Sequence, residues 1–262
     1  MPAHDLSLII DAIEQAGDIA RTFTGPTAKR WEKSDGAGPV TEADLAVDAE
    51  LKRILCGARP DYGWLSEETE DAKDRLEAEN VFVVDPIDGT RSFVEGARTW
   101  AISVAVARKG QVTAAAVYLP MRDMLYSASL GGGATLNGEA LNVSQEPNIE
   151  TSRILAARPV TQRDLWVEEC PQFDRHYRPS LAYRLSLVAQ GRFDGMLTLR
   201  PTWEWDIAAG TLIVSEAGGH ATDRNGAPLV FNTPKSQLNG IVAAGGPIHG
   251  SLVTALRPTH HA

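Results

Sequence analysis

The stretch Val81–Phe93, VFVVDPIDGTRSF, decides how the rest of the chain is read. Val81–Val84 is a short apolar run of β-branched and aromatic residues, the pattern of a buried strand. It stops abruptly at Asp85 and Asp88, with Pro86 between them and Gly89-Thr90 after them. Two carboxylates three residues apart across a rigid turn converge on one point. Like charges held that close are costly unless a cation lies between them. Mg²⁺ is the natural candidate, since it takes oxygen ligands and is commonly anchored by few carboxylates plus a substrate phosphate. The bland alternative is a turn whose acids are solvated. The backbone N–H groups after the turn, at Gly89 and Thr90, form a nest suited to phosphate oxygens.

Upstream, residues 5–23 carry Leu6, Ile9, Ile13, Ala16, Ala20 and Phe23 at three/four spacing, which predicts an amphipathic helix. Residues 26–40 are polar and glycine-bearing and read as a loop. Thr41 then opens a second helical pattern that ends before Pro60, with Asp44 three residues on as a capping-box partner. Strands are predicted at Tyr62–Leu65, Asn80–Val84, Trp100–Ala107, Val112–Tyr118, Leu125–Ala128 and Ala134–Leu136. The tight turns Lys109-Gly110 and GGGA (131–134) separate them, and Asn137-Gly138 follows the last. Such spacing predicts an antiparallel sheet, and this α+β half ends near residue 145. In the remainder, 146–262, strands at Ile154–Ala157, Phe193–Leu199 and Ile241–Ala244 alternate with helical patterns around 161–168, 180–190 and 206–217, an α/β reading.

Composition narrows the function. Of 262 residues, 43% are apolar and 23% charged, so the chain is expected to fold rather than remain disordered. A net charge of -9 disfavours polymeric nucleic acid as a partner, while a small anion held through metal ions stays compatible. Cys56 and Cys170 make no disulfide framework. The N-terminus lacks a signal-peptide pattern, and no run approaches the ~20 apolar residues of a membrane span. A cytoplasmic protein is the expectation. There is no phosphate-binding GxxxxGK[ST], no G-x-S-x-G elbow and no zinc spacing among the six histidines. Among other acids, Glu67-Glu68 follow a short strand, and Asp206 opens an apolar helix, where capping is its ordinary explanation.

Four pieces in this order, VTEAD (40–44), LSEET (65–69), DPIDGTRSF (85–93) and WEWDIAAGTLIVSEAGG (203–219), resemble the inositol monophosphatase superfamily of Mg²⁺-dependent, lithium-sensitive phosphomonoesterases. The resemblance covers nearly the whole chain. It implies a layered αβαβα sandwich, an α+β lobe (1–145) followed by an α/β lobe (146–262), and a homodimer. It implies Glu67, Asp85 and the carbonyl of Ile87 as ligands of one Mg²⁺, Asp85, Asp88 and Asp206 as ligands of a second, and Glu67 facing a third. Asp44 and Thr90 would position and activate the attacking water, and Gly89 and Thr90 would offer N–H groups to the phosphate.

For the substrate, a small phosphorylated metabolite, the resemblance is strongest to the bacterial CysQ-type group. That group removes the 3'-phosphate of adenosine 3',5'-bisphosphate. The reading rests on S-E-E-T-x-D-x-x-x-R-L (66–76), DGTR and EWD-x-AAG, with Tyr183 near the base and Arg184 and Arg200 on the 5'-phosphate. Leu199 stands where inositol phosphatases carry a sugar-binding acid. Inositol-1-phosphate phosphatase is the second expectation and histidinol-phosphate phosphatase the third. A non-catalytic regulator on the same fold is the alternative from another class.

Overall fold

A computed structural model describes residues 2–23, 25–32 and 38–259. Helix α1 (Pro2–Thr22) buries Ile9, Ala12, Ile13, Ala16 and Ala20, one continuous stripe at helical spacing. A short hairpin, β1 (Arg30–Glu32) with β2 (Pro39–Thr41), occupies part of the expected 26–40 loop; the rest of that prediction, at 33–37, lies outside the described residues. Helix α2 (Glu42–Ala58) begins at a complete Thr41–Asp44 capping box and buries Val47, Leu51 and Leu55.

The main sheet follows. Its strands are β3 (Gly63–Ser66), β4 (Asn80–Asp88), β5 (Ala101–Arg108), β6 (Gln111–Leu119), β7 (Met124–Ser129), β8 (Gly133–Leu136) and β9 (Glu139–Ala140), ordered as in sequence. A short helix, α3 (Thr90–Val94), lies between β4 and β5. All neighbours are antiparallel except β3 and β4, which run parallel, so the sheet is mixed rather than wholly antiparallel. The reason is the connection. A hairpin turn joins β5 to β6, whereas the chain between Ser66 and Asn80 is long enough to cross back and start in the same direction.

A second, five-stranded sheet has the order β11-β10-β12-β16-β14, from β10 (Arg153–Ala156), β11 (Asp174–His176), β12 (Gly195–Thr198), β14 (His220–Thr222) and β16 (Ile241–Ala244). A small ladder joins β13 (Thr202–Trp203) to β15 (Gln237–Leu238). Helices α4 (Leu181–Ala189) and α5 (Glu204–Glu216) lie between the two sheets, and α6 (Gly246–Ala255) packs on the outer side of the second. The helix expected around 161–168 is instead a pair of 3₁₀ turns, 158–161 and 163–165. Trp166 there donates its indole N–H to the Val160 carbonyl, closing a compact loop in which no helical ladder forms.

The layers are therefore α1/α2, sheet, α4/α5, sheet, α6: the expected αβαβα sandwich. The central strands carry apolar residues on both faces because helices cover both. The α4–α5 contact is close: a Cβ on Gly210 would lie 2.5 Å from Leu185 side-chain atoms. That approach brings the N-termini of α4 and α5 toward the end of β4, where the acidic turn lies. No described helix is long and apolar enough to cross a membrane.

Candidate active site

In a regular strand, residues three apart point to opposite faces. Asp85 and Asp88 would then diverge. The pairing of β4 with β5 prevents this: Asp85 stands opposite Ser103, but Asp88 opposite Ala101, so β4 holds one extra residue. This bulge falls at Pro86-Ile87, where a proline costs no ladder donor. It turns both carboxylates the same way. Asp206, in the first turn of α5, completes the group; oxygen atoms of Asp85, Asp88 and Asp206 lie within 4.8 Å of one another.

The surroundings hold each acid differently. Asp88 accepts from the Ser180 hydroxyl at 2.7 Å and from the Ala182 N–H at 2.6 Å, so the N-terminus of α4 grips it. Ser180 does this at φ +66°, a left-handed conformation uncommon for serine. Asp44 divides its two oxygens. Oδ2 accepts the Thr41 N–H at 2.9 Å as the helix cap, while Oδ1 accepts from the Thr90 hydroxyl at 3.2 Å. Thr90 also lies 3.1 Å from the Ile87 carbonyl. Gly89, at φ +99°, makes the sharp turn that starts α3 and presents Thr90. Glu67 is half-buried just beyond β3, its N–H on the Val84 carbonyl at 3.2 Å. The loop around it is pinned by Asp48, which accepts from Ser66 at 2.5 Å and Thr69 at 2.6 Å.

Electrostatically the cluster is short of positive charge. Burial, and then the neighbouring carboxylates of Glu67, Asp88 and Asp206, hold the Asp85 carboxyl well above the ordinary range. Burial pushes Asp88 up to about 6 despite the bonds from Ser180 and Ala182. Burial likewise raises Asp44 to about 6, against the bonds from Thr41. Asp85 Oδ1 is buried without a hydrogen-bond partner. An all-oxygen donor set with an orphaned carboxylate oxygen fits a hard divalent cation such as Mg²⁺.

The residues expected to touch the rest of the substrate are placed less uniformly. Arg184 is buried, donates from Nε to the Arg178 carbonyl and stacks 4.5 Å over Tyr177; it feels the charges of Asp88 and Arg200. Arg200 is exposed at the end of β12. Tyr183 is buried, with its hydroxyl accepting from Arg122 at 2.6 Å. Leu199 is buried in the apolar cluster of the second sheet. Sequence reasoning passed over Ser180 and Asp48 as site-builders. For Ser180 the signal was present, a serine just before an apolar helical run.

A sequence model described as the inositol monophosphatase family matches residues 3–261. The inositol-1-monophosphatase of Rhizobium meliloti (strain 1021) is 35% identical over 231 residues, covering 84% of this chain and 86% of that protein. The Nus factor SuhB of Escherichia coli (strain K12) is 31% identical over 255 residues, 92% of this chain and 91% of its own. Among solved structures, an IMPase of Thermotoga maritima superposes with a TM-score of 0.80 at 27% identity, covering 97% of this chain and 96% of that one. These matches carry the fold and the phosphatase class, and they give no ground for the narrower CysQ-type group. With the carboxylates of Asp85, Asp88 and Asp206 gathered closely enough to hold a divalent metal, the chain belongs to the inositol monophosphatase family and is a metal-dependent phosphomonoesterase.

Proposed function

We propose that this enzyme hydrolyses a small polyol phosphate of the inositol 1-phosphate class by direct attack of water on phosphorus. The convergence of Asp85, Asp88 and Asp206 beside the Asp44–Thr90 pair is the observation that carries the chemistry. The name of the Rhizobium meliloti relative supports the polyol. Glu67, Asp85 and the Ile87 carbonyl would hold one Mg²⁺, and Asp85, Asp88 and Asp206 a second; Glu67 would face a third. Ions bound there supply Lewis-acid polarisation and neutralise charge on the phosphate and the leaving oxygen.

The chain's own groups do the rest. The Gly89 and Thr90 N–H groups bind the phosphate. Thr90 Oγ1 accepts a hydrogen bond from the attacking water and relays its proton to Asp44 Oδ1; as the water oxygen bonds to phosphorus, the bond from phosphorus to the polyol oxygen breaks, and that oxygen takes a proton from solvent as it leaves. Burial raises the Asp44 carboxyl above the ordinary range, the direction that favours its taking a proton. The α4 N-terminus keeps Asp88 oriented through the reaction.

A second reading, adenosine 3',5'-bisphosphate, is favoured by two placements. Leu199 offers no polar group to a polyol, and Arg184 lies in electrostatic reach of both Asp88 and Arg200. One experiment separates the readings: phosphate release from inositol 1-phosphate, adenosine 3',5'-bisphosphate and histidinol phosphate with Mg²⁺, and again with Li⁺, which is expected to inhibit. The highest kcat/KM on inositol 1-phosphate supports the proposal; a preference for the bisphosphate overturns it in favour of the nucleotidase. No release from any of the three overturns hydrolysis of this class and returns the regulator reading. Light scattering on the same sample tests the homodimer.

A further inference from the structure

Outside the carboxylate cluster, the most heavily bonded buried charge among the described residues is Arg75. Its side chain is 0% exposed, although it comes from the charged run EDAKDRLE. Nε and Nη2 hold Asp71 bidentately at 2.6 and 2.9 Å. The remaining bonds cross to the far end of the chain: Nη1 donates to Asn232 Oδ1, and Nη2 to the Thr233 carbonyl at 3.1 Å and the Ser236 hydroxyl at 2.8 Å. The same turn, 232–236, holds a second buried charge from its other side. Glu204 accepts the N–H groups of Asn232 and Thr233 at 2.6 and 2.8 Å and the Thr233 hydroxyl at 2.6 Å. The Glu204 N–H donates to the Ser236 carbonyl at 3.0 Å.

The ends of this chain of contacts matter. Asp71 closes the loop that carries Glu67, and Glu204 lies two residues before Asp206 on the first turn of α5. We infer that Arg75 and Glu204 are positioning residues, which set the Glu67 loop at the edge of the main sheet against the Asp206 end of α5 through the turn 232–236. A planar fork suits this, because it fixes direction as well as distance. On the proposed reading the metal site would draw Glu67 from one segment and Asp206 from the other, and no covalent connection nearby sets their spacing. The inference rests on the metal-phosphatase reading of the cluster.

The test is Mn²⁺ binding followed by electron paramagnetic resonance without substrate, alongside Mg²⁺-activation curves, on wild type, Arg75→Lys and Glu204→Gln. Arg75→Lys keeps the charge and loses the fork. Glu204→Gln keeps the shape and sets a carboxamide against N–H donors. Each is expected to weaken Mn²⁺ binding by about 10-fold or more, the scale seen when partners behind metal ligands are removed. The Mg²⁺ concentration for half-activation rises by the same factor, while the substrate KM at saturating Mg²⁺ is unchanged. A fall in melting temperature with unaltered Mn²⁺ binding overturns the inference and leaves a purely structural role. If Arg75→Lys does not fold, Glu204→Gln decides alone. A wild-type protein that neither binds Mn²⁺ nor turns over would instead sink the metal-phosphatase reading itself.

Discussion

Two buried charged clusters lie near one another in this molecule, and they are built on opposite rules. Around Arg75 the charges are matched. Bonds from Arg75, and then from Lys73, hold Asp71 down at about 2, and Glu204, though raised by burial, has bonds on both oxygens. Around Asp85 they are not matched: acids face acids, and one oxygen is buried without a partner. A fold tolerates the second arrangement only where something from outside completes it. The contrast separates scaffold from site without reference to any relative.

The sharpest way to break the contrast is to remove one charge from each cluster. Asp88→Asn should lower kcat on the order of 10³-fold, since a metal ligand supports several kcal/mol of transition-state stabilisation. The metal-free variant should melt no lower than wild type at pH 7, because a like-charge repulsion goes with it. Unchanged phosphate release would dispose of the metal mechanism. Arg75→Met should do the reverse to stability. It strands Asp71 and the carbonyls of the 232–236 turn and should cost about 3–5 kcal/mol in urea unfolding. A loss under about 1 kcal/mol would mean that the fork is replaceable by packing.

The acidic site was more legible in the sequence than the matched cluster. The two carboxylates were legible as convergent, but as the arms of a turn after Val84; β4 instead runs on to Asp88, and a bulge at Pro86-Ile87 does the turning. Asp44 was legible as a cap, and the structure puts its Oδ2 on the Thr41 N–H and its Oδ1 on the Thr90 hydroxyl. Arg75 and Glu204 were not legible as buried. A charged run reads as a solvated face, and a Glu at a helix start reads as a dipole partner; the arginine's bonds to Asn232, Thr233 and Ser236 reach across more than 150 residues of separation. The helix expected near 161–168 failed because three/four spacing over so few residues does not distinguish a helix from successive 3₁₀ turns.

The contrast also has a pH dependence. Asp44 and Asp88 titrate near 6 in the fold, above the ordinary carboxylate value. The folded state therefore binds more protons than the unfolded chain between about pH 4 and 6. Their stability contribution is present below the ordinary value and is lost as pH rises through 6. Saturating Mg²⁺ should consequently raise the melting temperature more at pH 7 than at pH 5, where protons already occupy the acids. Calorimetry at the two pH values checks this, and equal shifts would mean that these two acids do not feel the bound ion.

The smallest effect tests how the site is braced rather than how it is charged. Ser180 holds Asp88, caps α4 through the Tyr183 N–H at 3.0 Å, and does both at φ +66°. Ser180→Ala removes both bonds and keeps the backbone strain, so it should cost about 1–2 kcal/mol, the range of a lost helix cap. Ser180→Gly removes the same bonds and relieves the strain, so it should cost about 1 kcal/mol less than the alanine variant. Urea unfolding of the pair separates strain from bonding. Because either variant removes one of the two bonds to Asp88 Oδ2 and leaves that of the Ala182 N–H, both should raise the Mg²⁺ needed for half-activation equally; a difference between them would mean that the strained backbone, and not the hydroxyl, sets the carboxylate.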